Sequence, residues 1–136
     1  NQVEYVGYGP TESYLDKHHA TAFGRYKTTP ESNHVPYLKP QENGSHYACR
    51  EVKVANSADC FTVQSRTPFS MNVSPYSQEE LGSKKHQYDL EKSGSPILCV
   101  DYKMSGVGSN YCGPALKEQY RLNETQWDVS ISLQIT

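Results

Sequence analysis

Residues 127–136 read Trp-Asp-Val-Ser-Ile-Ser-Leu-Gln-Ile-Thr. Trp127, Val129, Ile131, Leu133 and Ile135 alternate with Asp128, Ser130, Ser132, Gln134 and Thr136. Successive side chains of a strand point to opposite faces, so this stretch has one apolar and one polar face. It predicts a strand of an antiparallel sheet with one side on the core and the other on water. Ile131, mid-face, is expected to be fully buried, with Ser130 and Ser132 facing out.

Working outward, similar but weaker patterns recur. Residues 96–104 place Leu98, Val100, Tyr102 and Met104 on one face. Residues 47–54 and 60–65 read as a hairpin around the turn formers Asn56 and Asp59, and residues 69–73 as a further short strand. Residues 3–8 alternate loosely up to Gly9-Pro10. The best helix candidate is 11–23, from Thr11 to Phe23, with Thr11 as cap and Gly24 as stop. Ser77 to Glu80 has the capping-box pattern, cut short by Gly82. Residues 28–44 hold three prolines and form a loop. The fold class expected is mainly β: a small antiparallel sandwich or barrel with one short helix.

The chain has 136 residues, enough for one domain, 1–136. Hydrophobic residues make up 35%, and 11 of the residues are Tyr. The core is therefore small and in need of cross-links. The net charge of −2 excludes strong attraction to nucleic acid or an anionic membrane. The longest apolar run, 97–100, is far too short to span a bilayer.

Cys49, Cys60, Cys99 and Cys112 lack the spacing of a zinc or dithiol redox site. Local disulfides Cys49–Cys60 and Cys99–Cys112 are expected, each closing a short loop for about 3 kcal/mol. Asn43, Asn72 and Asn123 begin glycosylation triplets. The chain starts at Asn1 rather than Met, which reads as a trimmed leader. Together these features point to a secreted, extracellular glycoprotein.

Chemistry-bearing residues are sparse. His18 and His19 are neighbours that a helix would turn apart, so no metal site is expected, and no cofactor motif is present. A ribonuclease needs a base, an acid and an arginine on the phosphate. His46, Arg50, Glu51, Arg66 and His86 supply those types. On a regular strand, however, Arg50 and Glu51 point opposite ways. Tyr5, Tyr8, Tyr26 and Tyr37 are candidates for a recognition surface.

The pattern Cys49/Cys60 then Cys99/Cys112, with strands around each pair, resembles the Alternaria major-allergen-like family of secreted fungal proteins. That resemblance implies a small β-barrel without enzyme chemistry. The family's N-terminal cysteine, which links two subunits, has no counterpart before Cys49. A monomer or non-covalent dimer is therefore expected. The helix candidate at Thr11 is a second departure. The leading expectation is a secreted effector-like protein binding a protein or glycan partner at a host or cell-surface interface. The alternatives are a ribonuclease-like protein, active or dead, and a small-ligand carrier.

Overall fold

The computed structural model describes residues 1–108 and 114–136. Among the described residues the strands are β1 (Gln2–Gly9), β2 (Ala22–Thr28), β3 (His46–Ala55), β4 (Cys60–Ser74), β5 (Ile97–Asp101) and β6 (Ser132–Ile135). They form one antiparallel sheet in the order β2-β1-β3-β4-β5, with β6 also on β4. The mainly β class holds. The sheet is open, with β2 at one edge and β5 and β6 at the other, so neither a closed barrel nor a complete sandwich forms.

β1 shows why the sheet has an inside. Val3, Tyr5, Gly7 and Gly9 are buried, while Glu4, Val6 and Tyr8 between them are not. Val3 and Tyr5 build one continuous core with Cys49, Val52, Val63, Phe69, Met71 and Val73. Gly7 is required by its neighbour, since a Cβ there would lie 2.4 Å from the Cys49 Sγ. The other face is a polar ladder: Arg25 on β2 pairs with Glu4 at 2.5 Å and with Glu51 at 3.1 Å, and Lys53 lies 3.5 Å from Glu51.

β4 is one long strand rather than the two short ones the sequence suggests. Its first half pairs with β6 and its second half with β5, along the same edge. On its other edge the register with β3 shifts between His46 and Cys49 and again between Cys49 and Glu51, with Ala48 at φ 53°. Pro68, which has no N–H to give, falls in the stretch of β4 between its partners Gln64 and Phe69.

Residues 11–23 are not a helix. The segment donates its backbone N–H groups elsewhere: Ser13 to the Ser45 carbonyl at 2.7 Å, and Tyr14 to that of Lys17 at 2.8 Å. Ala22 and Phe23 already belong to β2. The helices are shorter. α1 (Pro30–Asn33) is capped by Thr29, whose hydroxyl accepts from the Ser32 N–H, with Pro30 in the first turn. α2 (Gln78–Ser83) is capped by Ser77, as its sequence predicts.

The disulfide expectations fail as well. Cys49, Cys60 and Cys99 carry free thiols, and Cys112 lies outside the described residues. Cys60 pairs with Ala55, six residues along β3 from Cys49. At about 3.3 Å per residue that is far beyond the reach of a disulfide.

β6 is shorter than the alternating pattern and more open. Ile131 is only partly buried, Leu133 is 65% exposed and Ile135 is 73% exposed. The register is as expected, since Leu133 pairs with Val63 and Ile135 with Phe61 on the core side. The apolar face is present, but within this chain it is not covered.

Candidate functional site

The best-organised part of the surface is the loop end of the sheet, where segments 10–21, 34–45 and 102–108 meet. Glu12 is its hub. One carboxylate oxygen accepts from Lys17 Nζ at 2.6 Å and from the Tyr37 hydroxyl, and the other accepts from the Gly44 N–H at 2.9 Å. Burial alone would raise the Glu12 pKa; these donors outweigh it and hold it below the usual carboxylate value. Asp16 clamps the third segment, accepting from the N–H groups of Val107 at 2.9 Å and Gly108 at 3.0 Å. Gly106 has no room for a Cβ, which would lie 2.3 Å from the Asp16 carboxyl.

Beneath the loops lies a buried polar set. Asn33 donates through Nδ2 to the carbonyls of Gly44 at 2.8 Å and Val73 at 3.0 Å. Its Oδ1 lies 2.7 Å from His46 Nε2, and His46 Nδ1 lies 3.1 Å from the Tyr8 carbonyl. Burial pushes His46 down to about 4, against the pull of the Tyr8 carbonyl and of the charge on Glu12. Glu42 and Asp101 are both raised, first by burial; for Glu42, repulsion from Asp101 adds to it.

An aromatic group joins the 10–21 segment to the strands. Tyr8 packs on Tyr47 at 5.8 Å, His18 on His19 at 4.8 Å, and His18 on Tyr47 at 5.1 Å. Phe23 closes the group on Tyr8. Next to it opens a cleft of about 280 Å³, lined by Leu15, Tyr47, Tyr102, Met104 and Arg121.

The residues singled out from sequence scatter. His46 is 1% exposed and faces the core, not a substrate. His86 is on a surface turn, 3.1 Å from Asp89. Arg50, Glu51 and Arg66 do line one groove, because the register shift next to Glu51 breaks the strict alternation of a regular strand. Glu51 is already held there by Arg25 and Gln64. No base–acid–arginine set joins them. Of the tyrosines, Tyr5 is core, Tyr26 donates to the Ala22 carbonyl, Tyr37 donates to Glu12, and only Tyr8 enters the aromatic group. Asn43 and Asn72 are buried, Asn43 bonding to the Val35 N–H at 2.7 Å, while Asn123 is exposed. Glu12 is legible in the sequence only as a residue of the expected helix; Lys17 is near it, but Tyr37 and Gly44 lie too far along the chain for spacing to reveal.

Among the described residues no group of three His, Cys, Asp or Glu side chains could hold a metal ion. Nor is any described helix long and apolar enough to cross a membrane. Fold and site together define a class: a β-sheet module with a hydrogen-bonded loop end and an exposed apolar face at β6. The family model described as beta galactosidase small chain matches residues 1–135, and the chain belongs to that family. The beta-galactosidase of Actinobacillus pleuropneumoniae is 55% identical over 98% of this chain. Those of Staphylococcus xylosus and Kluyveromyces lactis are 39% and 34% identical over 97% and 96% of it. The chain spans 13% of the length of each of these relatives.

Family membership replaces the allergen-like resemblance, which rested on cysteine spacing alone. The secreted effector reading, with its ribonuclease and carrier alternatives, gives way to a glycosidase relationship. The extracellular glycoprotein reading falls too: the family matched is that of beta-galactosidases, the described cysteines carry free thiols, and two of the three triplets begin at buried asparagines.

Proposed function

We propose that the chain is a portion of a β-galactosidase, and that residues 1–136 fold as one unit that supports hydrolysis of β-galactosides by a larger protein. The observation that carries this reading is the 55% identity over 98% of the chain to a beta-galactosidase. Hydrolysis of a glycosidic bond needs a carboxylic acid at the leaving oxygen and a second carboxylate across the sugar. Glu12 and Asp16, the carboxylates ordered at the loop end, have their oxygens taken up by N–H and O–H donors. Their work is to fix loops. The chain's contribution is then positional: a sheet that holds a preorganised loop end against the part of the enzyme carrying the reacting carboxyls.

The test is galactoside hydrolysis by the full-length protein, intact and with this segment deleted. The intact protein is expected to hydrolyse a β-galactoside and the deletion to abolish turnover. An intact, folded protein that leaves β-galactosides uncut would overturn the reading. A milder probe is Asp16→Ala, which frees residues 106–108 and should lower kcat/KM about tenfold or more if that loop faces the substrate.

A further inference from the structure

The polar face of the sheet carries a groove of about 590 Å³. It exists because β3 and β4 fall out of step. Cys49 pairs with Phe69 and Glu51 with Gln64, so Arg50 alone on β3 faces residues 65–68 of β4. That excess of backbone forms a wall of the groove through Ser65, Arg66 and Thr67, and the same irregularity brings Arg50 into it beside Glu51. Ser132 of β6, the partner of Gln64, lines it as well. None of these residues belongs to the loop end organised by Glu12 and Asp16.

The charges in the groove do not cancel. Arg25 is held by Glu4 and Glu51, and Glu51 is also held by Lys53 and Gln64. Arg50 and Arg66 are exposed, and among the described residues neither has an ion pair or a side-chain hydrogen bond. With Arg25 and Glu51 offsetting each other, Arg50 and Arg66 remain as a positive surplus, in a chain whose net charge is −2. A guanidinium offers a planar fork of N–H donors that meets an oxyanion with two bonds. Thr67 and Ser132 add hydroxyls able to donate to the same anion.

We propose that this groove binds a phosphoryl group, with Arg50 and Arg66 as its two charged partners. Charge decides the class. A phosphoryl group carries about −1.5 to −2 at pH 7 and matches the surplus, whereas a carboxylate leaves one arginine unmatched. The groove binds and does not react, since its one carboxylate, Glu51, is already taken up by Arg25 and Gln64.

Titration calorimetry on the full-length protein tests this, at constant ionic strength, with inorganic phosphate and with glycerol phosphate. Saturable binding with a Kd of about 1 mM is expected. Arg50→Gln and Arg66→Gln should each weaken it about tenfold, and Arg66→Lys, which keeps the charge without the fork, should weaken it less. Lys85→Gln removes an equal charge from the exposed surface outside the groove and should leave the Kd unchanged. Thermal melts check that each variant is folded. Tighter binding of glycerol phosphate assigns the site to a phosphate ester, and equal or weaker binding assigns it to the free ion. Absence of saturable binding of either, as when a carboxylate of the larger protein already fills the groove, would overturn the proposal. So would a loss in Lys85→Gln equal to that in the arginine variants, which marks general attraction between charges rather than a site.

Discussion

His46 has acceptors against both ring nitrogens and is 1% exposed, which ties its protonation to folding. Burial lowers its pKa from 6.5 to about 4, so unfolding takes up a proton between those values. Its contribution is fully present above pH 6.5 and is lost as the pH falls toward 4. Glu12 has the same sign lower down: its depressed pKa supplies stability above the usual carboxylate value that is lost in acid. Urea midpoints should therefore drop between pH 7 and pH 4.5, with His46 responsible for up to about 3 kcal/mol. His46→Gln should flatten that drop, and an unchanged slope would count against the assignment. At pH 7, Glu12→Gln should cost about 1–3 kcal/mol, since the Lys17 ammonium and the Gly44 N–H lose their anionic acceptor. Sequence supplied these residue types but not their roles. The ribonuclease alternative counts His46 among its residues while setting Arg50 and Glu51 facing apart, and it is burial and a bulge, both set by partners far along the chain, that decide where these side chains go.

Strands were legible wherever short-range alternation met a turn, as in β1, β3, β5 and the Asn56 turn, whose side chain accepts from the N–H of Ala58 and Asp59. What failed was long-range. Residues 11–23 have helical spacing, but hydrogen bonds to Ser45 and the pairing of β2 with β1 claim the backbone instead. α1 was readable in principle from Thr29 and Pro30, a cap followed by a first-turn proline. The β1–β3 crossing gives the element-scale prediction. Gly7→Ala would press its Cβ within 2.4 Å of the Cys49 Sγ and 3.1 Å of its Cα. We expect a loss of about 1–3 kcal/mol in denaturant melts. Adding Cys49→Ala should return part of it, since the thiol is removable and the backbone is not. Strictly additive losses would show that the two strands do not meet there.

For the whole molecule, the mainly β class is legible in the sequence and the means of support is not. A low apolar content suggested cross-links, yet the described thiols are free and the support comes from a continuous core plus an uncovered rim. Reductant should therefore leave the unfolding midpoint unchanged, and a clear drop would reveal a bridge. In a melt of residues 1–136, Met71→Ala should cost about 2–5 kcal/mol and Leu133→Ala less than about 0.5. Equal losses would mean that β6 is covered within this chain. The placement of β6 also has a consequence in time. β4 pairs with β3 locally, but the other edge of its first half waits for residues 132–135, which lie far along the chain from it. Until then Phe61–Gln64 presents an open row of backbone donors and acceptors to other nascent chains. Closing it requires a contact between distant parts of the chain, which forms slowly. Deleting residues 132–135 should therefore raise the aggregated fraction during synthesis more than it lowers the stability of the material that folds.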